Sequence, residues 1–150
     1  MKNIPFVKMD GLGNDFVIID NRNDPVSLST ADIVQIGNRK TGVGFDQMII
    51  IEPSDKAFAR MKIFNADGSA AGACGNGTRC VGKMLMDETL KTSLALEAPD
   101  GKILKTFRES PDALVTVDMG KPALKWNEIP VAEECDTLYS PNLCESLPQP

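Results

Sequence analysis

The stretch Asn65-Ala66-Asp67-Gly68-Ser69-Ala70-Ala71-Gly72-Ala73-Cys74-Gly75-Asn76-Gly77-Thr78-Arg79 decides how the rest of the chain is read. It is a turn-rich segment that delivers one cysteine to the start of an apolar, helix-periodic run. Gly75 and Gly77 leave backbone N–H groups open, and glycine tolerates the dihedral angles that such a turn demands. The first turn of a helix has N–H groups without internal partners and carries partial positive charge. Such a terminus accepts an anion and favours the thiolate form of a cysteine placed beside it. A nucleophilic sulfur and a carboxylate-sized anion site are therefore expected together at Cys74.

Outward from that point, residues 76–90 read as a helix. Cys80, Val81, Met84, Leu85 and Leu90 follow helical spacing, and Met86 widens the apolar arc, so a sheet is expected to wrap the helix. Upstream, residues 4–9 and 16–20 read as strands around the turn Asp10-Gly-Leu-Gly-Asn-Asp15. A short helix over 31–38 is capped by Ser29 or Thr30, with Ile33, Val34 and Ile36 as its apolar positions. Residues 46–52 and 57–64 form the clearest hairpin. Downstream, residues 93–97, 102–107 and 114–118 read as strands, separated by Pro99-Asp-Gly101 and Ser110-Pro-Asp112. About seven strands and two helices make an α+β fold, with a mixed, mostly antiparallel sheet curled around a central helix.

The last thirty residues hold five of the ten prolines and no sustained period. Residues 1–120 are thus expected to form one domain. Residues 121–150 read as a linker or the start of a second domain, partly disordered.

Composition narrows the function. A net charge of −5 with scattered lysines and arginines disfavours nucleic acid and anionic membranes as partners. Met48 to Ile51 is about the longest apolar run and is far too short for a membrane span. No signal-peptide core is read at the N-terminus, so the four cysteines are expected as free thiols in a reducing cytoplasm. With no histidine in the chain, a Cys-His or Ser-His hydrolase is excluded within it. The cysteine spacings match no zinc site, and no metal is expected. Cys80, set among Val81 and Met84, reads as core. Cys135 and Cys144 stand in the irregular tail without an activating feature.

Gly11-Leu-Gly13-Asn14 begins like a dinucleotide fingerprint. The third glycine is absent and a strand follows it, so a tight strand–strand turn is the simpler reading. Taken with its neighbours, it acquires another meaning. Lys8-Met-Asp-Gly-Leu-Gly-Asn-Asp-Phe16, Gly42-Val-Gly-Phe-Asp-Gln47, and Phe64-Asn-Ala-Asp-Gly-Ser69 followed by Cys74-Gly-Asn-Gly77 occur in the order and spacing of diaminopimelate epimerases. The chain resembles that family from Ile4 to about Pro130.

The resemblance implies an isomerase without cofactor, which interconverts LL- and meso-diaminopimelate by moving a proton at one α-carbon, for lysine and peptidoglycan synthesis. It implies two similar domains, with one catalytic cysteine from each. By motif match Cys74 is the first of these. Asn14, Gln47 and Asn65 match substrate-binding positions, and Gly75 and Asn76 match the positions that hold the substrate carboxylate. The second Cys-Gly turn of the family has no counterpart here, nor have the second domain's asparagines and Glu-Arg pair. The chain is therefore expected to carry half of the site and to be inactive alone, whether as a fragment, a truncated product or a degenerate copy. Association with a second domain, or with another copy of the chain, is expected. A non-catalytic half-site and a proline racemase-type isomerase remain the alternatives.

Overall fold

The computed structural model describes residues 3–129, 134, 136 and 137. Cys135, Cys144 and the expected disorder of the terminus lie outside these. Contacts divide the chain into two units, Met1–Met119 and Gly120–Pro150.

The first unit holds eight strands and two α-helices. They run β1 (Val7–Gly11), β2 (Asn14–Asp20), α1 (Thr30–Gly37), β3 (Gln47–Glu52), β4 (Ala59–Asn65), β5 (Ala70–Ala71), α2 (Gly75–Thr89), β6 (Ser93–Glu97), β7 (Ile103–Phe107) and β8 (Thr116–Asp118). The sheet order is β1-β2-β3-β4-β6-β7-β8, with β5 paired to β4. Two neighbouring pairs, β2 with β3 and β4 with β6, are parallel, and the rest are antiparallel. Each parallel pair is bridged by a helix, as a crossover requires.

Apolar alternation explains why the middle of the sheet is buried on both faces. Phe16 and Ile18 of β2, Ile49 and Ile51 of β3, and Met61 and Ile63 of β4 share a core with Cys80, Val81, Leu85 and Met86 of α2. Val17, Ile19, Met48 and Ile50 point the other way and pack with Ile33 of α1 and with Phe45. Strands covered on both sides read as continuous apolar runs, which is the pattern of Phe16–Ile19 and Met48–Ile51. Helix α2 touches β1 and β2 at one end of the sheet order and β6, β7 and β8 at the other. The sheet is therefore curled about α2.

Local chemistry fixes the ends of the elements. Ser29 caps α1 in a reciprocal box with Asp32: the Asp32 N–H donates to Ser29 Oγ at 3.2 Å, and the Ser29 N–H donates to Asp32 Oδ2 at 2.8 Å. The β1–β2 turn is only two residues long. Leu12 (φ 55°) and Gly13 (φ 88°) both have positive φ, the combination that suits the twist of a tight hairpin. Asn14 thus belongs to β2 and not to the turn in which the sequence pattern puts it.

Two expectations for α2 need correcting. Met84 is only partly buried, while Met86 is wholly enclosed. Leu90 does not continue the apolar face: the helix ends at Thr89, and Leu90 takes a left-handed conformation with 91% of its surface exposed. The short strand β5 lies within the stretch read as turn, because two alanines carry almost no periodic signal. Among the described residues of the second unit a 3-10 turn spans Trp126–Glu128, and the Thr137 hydroxyl donates to the Leu124 carbonyl.

Candidate active site

Strand topology gathers the expected polar residues at one end of the sheet. Asn14 opens β2, and Gln47 opens β3, which runs parallel to it with Phe16 opposite Gln47. β4 runs back, so its last residue, Asn65, stands opposite Gln47. Gln47 Nε2 donates to Asn65 Oδ1 at 3.0 Å, and Asn65 Nδ2 donates to the Ser69 hydroxyl at 3.0 Å. The start of α2 arrives at the same end, because Asn76 Nδ2 donates to Asn14 Oδ1 at 2.7 Å. Residues from four segments therefore meet as two amide pairs, Asn14 with Asn76 and Gln47 with Asn65.

Cys74 occupies the N-cap of α2, with an extended backbone. Its sulfur accepts the Gly77 N–H at 3.3 Å, and its carbonyl accepts the Thr78 N–H at 2.9 Å and the Thr78 hydroxyl at 2.8 Å. Among the described residues no partner is seen for the N–H groups of Gly75 and Asn76. They are the first two of the helix and lie beyond its internal ladder. Cys74, Gly75, Asn76, Gln47 and Asn65 are all half-buried, and Asn14 is exposed, so a ligand can reach each of them.

Gly77 is glycine for a reason other than the unusual dihedrals expected of this turn, since its φ is not positive. A β-carbon there would stand 2.6 Å from Ile49 Cδ1 and 3.4 Å from the Cys74 sulfur. Close approach of the helix start to β3 is what requires it. Cys80 is core as expected. It is 5% exposed, its sulfur lies 3.7 Å from the Asp10 carbonyl oxygen, and burial pushes its thiol pKa up.

Charged residues that the motif reading passed over support Asn14. Asp46 Oδ2 accepts from Asn14 Nδ2 at 3.3 Å and from the Asp15 N–H at 3.1 Å. The Arg39 guanidinium reaches both carboxylates, at 2.6 Å to Asp15 Oδ1 and 2.8 Å to Asp46 Oδ1. Lys8 Nζ adds a contact of 2.7 Å to Asp15 Oδ2. The hydrogen bond from Arg39, then the contacts of Lys8, hold the Asp15 carboxyl well below the usual carboxylate range. On α2, Arg79 donates to Asn76 Oδ1. For Lys8, Asp15 and Asp46 the sequence signal was their position inside the quoted blocks; Arg39 lies outside them, in the turn that follows α1.

A separate depression of about 430 Å³ is lined by Ile4, Leu28, Asp32, Gln35, Ile36, Thr41, Gly42 and Val43, and contains none of the expected site residues. Among the described residues, no helix is long and apolar enough to cross a membrane.

The comparisons point the same way. The family profile described as diaminopimelate epimerase matches residues 6–125. The chain is 47% identical over 133 residues to the diaminopimelate epimerase of Phenylobacterium zucineum (strain HLK1), covering 89% of this chain and 47% of that protein. It is 50% identical over 134 residues to the diaminopimelate epimerase of Acidiphilium cryptum (strain JF-5), covering 89% and 48%. The chain thus spans about half the length of the curated relatives it matches. A hydroxyproline epimerase from Agrobacterium vitis, solved with bound trans-4-hydroxy-L-proline, shares the fold with a TM-score of 0.57 at 16% identity, over 75% of this chain and 40% of that one. All three sequence blocks fall within the matched residues 6–125, and the chain belongs to the diaminopimelate epimerase family.

Proposed function

We propose that this chain forms the first half of the active site of a diaminopimelate epimerase, with Cys74 as one of two proton-transfer groups. The observation that carries the reading is the meeting of Cys74 and the unpartnered N–H groups of Gly75 and Asn76 with the amides of Asn14, Gln47 and Asn65 at one sheet end. An amino-acid α-C–H is a very weak acid. Removing its proton requires the negative charge to spread onto the adjacent carboxylate. In this proposal the helix-start N–H groups receive that carboxylate and stabilise the charge as it grows. The Cys74 thiolate takes the α-proton, and the Gly77 N–H supports the anionic sulfur before transfer. Asn14, Gln47 and Asn65 orient the substrate's polar groups. Neither metal nor cofactor enters the scheme.

Inversion needs a second acid on the opposite face of the α-carbon. Among the described residues the other thiol is Cys80, whose burial and raised pKa suit it to the core. The proposal therefore assigns the second proton to a partner domain, with residues 1–120 as the first domain and 121–150 as the link toward it. The product would feed lysine and peptidoglycan synthesis in the cytoplasm.

The test is inversion of LL-diaminopimelate in deuterated water. The chain alone should be slower than a complete enzyme by at least about 10²–10⁴-fold, the usual contribution of one positioned acid. Supplying the second half of the Phenylobacterium relative in trans should restore inversion, and Cys74→Ala should abolish it. Restored inversion that survives Cys74→Ala would overturn the assignment.

A further inference from the structure

The amide pair Asn14–Asn76 is one link in a longer hydrogen-bond series. Arg79 donates to Asn76 Oδ1. Asn76 Nδ2 donates to Asn14 Oδ1 at 2.7 Å, and Asn14 Nδ2 donates to Asp46 Oδ2 at 3.3 Å. The two ends differ in kind. A guanidinium has donors only, and an ionised carboxylate has acceptors only. Asp46 is itself held, by Arg39 at 2.8 Å and by the Asp15 N–H at 3.1 Å.

We propose that Arg79 and Asp46 are positioning residues, which impose one direction on this relay and so fix which edge of the Asn14 and Asn76 amides faces a bound substrate.

The Asn14–Asn76 hydrogen bond alone does not choose a direction, because rotating both amides by half a turn exchanges donor and acceptor and preserves the bond. With the ends in place, the same rotation sets the Asn76 NH₂ against the Arg79 guanidinium and the Asn14 carbonyl against the Asp46 carboxylate. Rotating Asn14 alone sets NH₂ against NH₂ at one side and oxygen against oxygen at the other. Every alternative leaves like groups facing each other, so a hydrogen bond is exchanged for a repulsive contact. Because each end is sufficient to disfavour the reversed state, the two act redundantly. Their effects should be non-additive although they sit on different segments, Arg79 on α2 and Asp46 just before β3.

This role rests on the reading that Asn14 and Asn76 hold substrate, and its test separates the two claims. The ¹⁵N-labelled 150-residue chain would be examined through the side-chain NH₂ resonances of Asn14 and Asn76, as wild type, Arg79→Met, Asp46→Asn and the double variant. Meso-diaminopimelate would then be titrated into each. Either single variant should leave the far amide close to its wild-type position. The double variant should shift both amides and speed their hydrogen exchange. It should also weaken diaminopimelate binding beyond the product of the singles by about threefold or more, as expected for coupled sites. Arg79→Lys, a donor-only cation, should restore the Asn14 resonance in the Asp46→Asn background, an outcome that a bulk packing role does not produce. If Arg79→Met perturbs backbone resonances beyond the first turn of α2, Arg79→Gln replaces it, since glutamine both donates and accepts. Additive shifts and additive affinities would overturn the relay. A coupled response of the amides without any binding of diaminopimelate to the wild type, even with the second half of the Phenylobacterium relative supplied in trans, would leave the relay standing and overturn the substrate reading.

Discussion

The backbone N–H of Gly77 donates to the sulfur of Cys74 at 3.3 Å, so the residue proposed to take the substrate proton also caps the helix whose first N–H groups are proposed to receive the substrate carboxylate. One geometry thus sets both the position of the sulfur and the direction of the first-turn N–H groups.

Because of this double role, Cys74→Ser and Cys74→Ala should separate stability from chemistry. Serine preserves an N-cap acceptor, while alanine should lower unfolding free energy by about 0.5 kcal/mol or more. Both should lose the reactive thiol. Urea denaturation of the two variants checks the first part. Alkylation of the wild type at mildly acidic pH with peptide mapping checks the second: Cys74 should label before Cys80, which is buried and whose pKa is raised, and the early label should vanish in both variants. Faster labelling of Cys80 would contradict the assignment.

Gly77→Ala should destabilise the domain by about 1–3 kcal/mol, the usual range for overpacking. The added carbon meets Ile49 Cδ1 at 2.6 Å, and Ile49 is fully buried in the core between the sheet and α2. The double variant Gly77→Ala/Ile49→Val should recover part of the loss in thermal unfolding. No recovery would mean that the helix start is not held by this contact.

Asp15 should couple stability to acid. Its folded pKa is depressed, first by Arg39 and then by Lys8, while an unfolded aspartate titrates near 3.9. A depressed pKa contributes stability that is complete above the unfolded value and is lost as pH falls toward the folded one. Urea unfolding of wild type and Asp15→Asn should therefore differ most at pH 6. The difference should shrink progressively below about pH 4. A gap that stays constant down to pH 2.5 would show that Asp15 acts through shape and not charge.

Leu90→Gly should stabilise the chain. Leu90 has φ 56° and 91% exposure, so its side chain gives little burial and its backbone occupies a region unfavourable to residues with a β-carbon. Relief of that conformation is worth about 1–2 kcal/mol, less the entropy that glycine adds to the unfolded state. A rise in thermal midpoint is the expected result, and a fall would mean that the side chain makes a contact that matters.

The periodic elements were legible because their side chains report their surroundings directly. The runs Phe16–Ile19 and Met48–Ile51 announce strands buried on two faces, Ser29 announces a helix start, and Val81 and Leu85 announce a helix facing a sheet. What failed lacked such a signal. Ala70–Ala71 has no period, Leu90 is apolar without being buried, and Asn14 follows a turn whose length depends on two φ angles.

For the site, residue type and local order were sufficient for the sequence alone to single out Cys74 with Gly75 and Gly77, because a cysteine followed by glycines at a helix start is a local arrangement, whereas Asn76 was named by the family resemblance. The three motif blocks likewise identified the family. Only the tertiary structure decided that Asn14, Gln47, Asn65 and Asn76 share one sheet end, because that depends on β3 running parallel to β2 and antiparallel to β4. Only the tertiary structure, too, brought Asp46 against Asn14 and Arg39 against Asp46, whereas Arg79 reaches Asn76 within one turn of α2. Hydrogen bonds between residues such as Asn14 and Asn76, sixty-two positions apart, follow from strand order and crossover and leave no periodic trace along the chain.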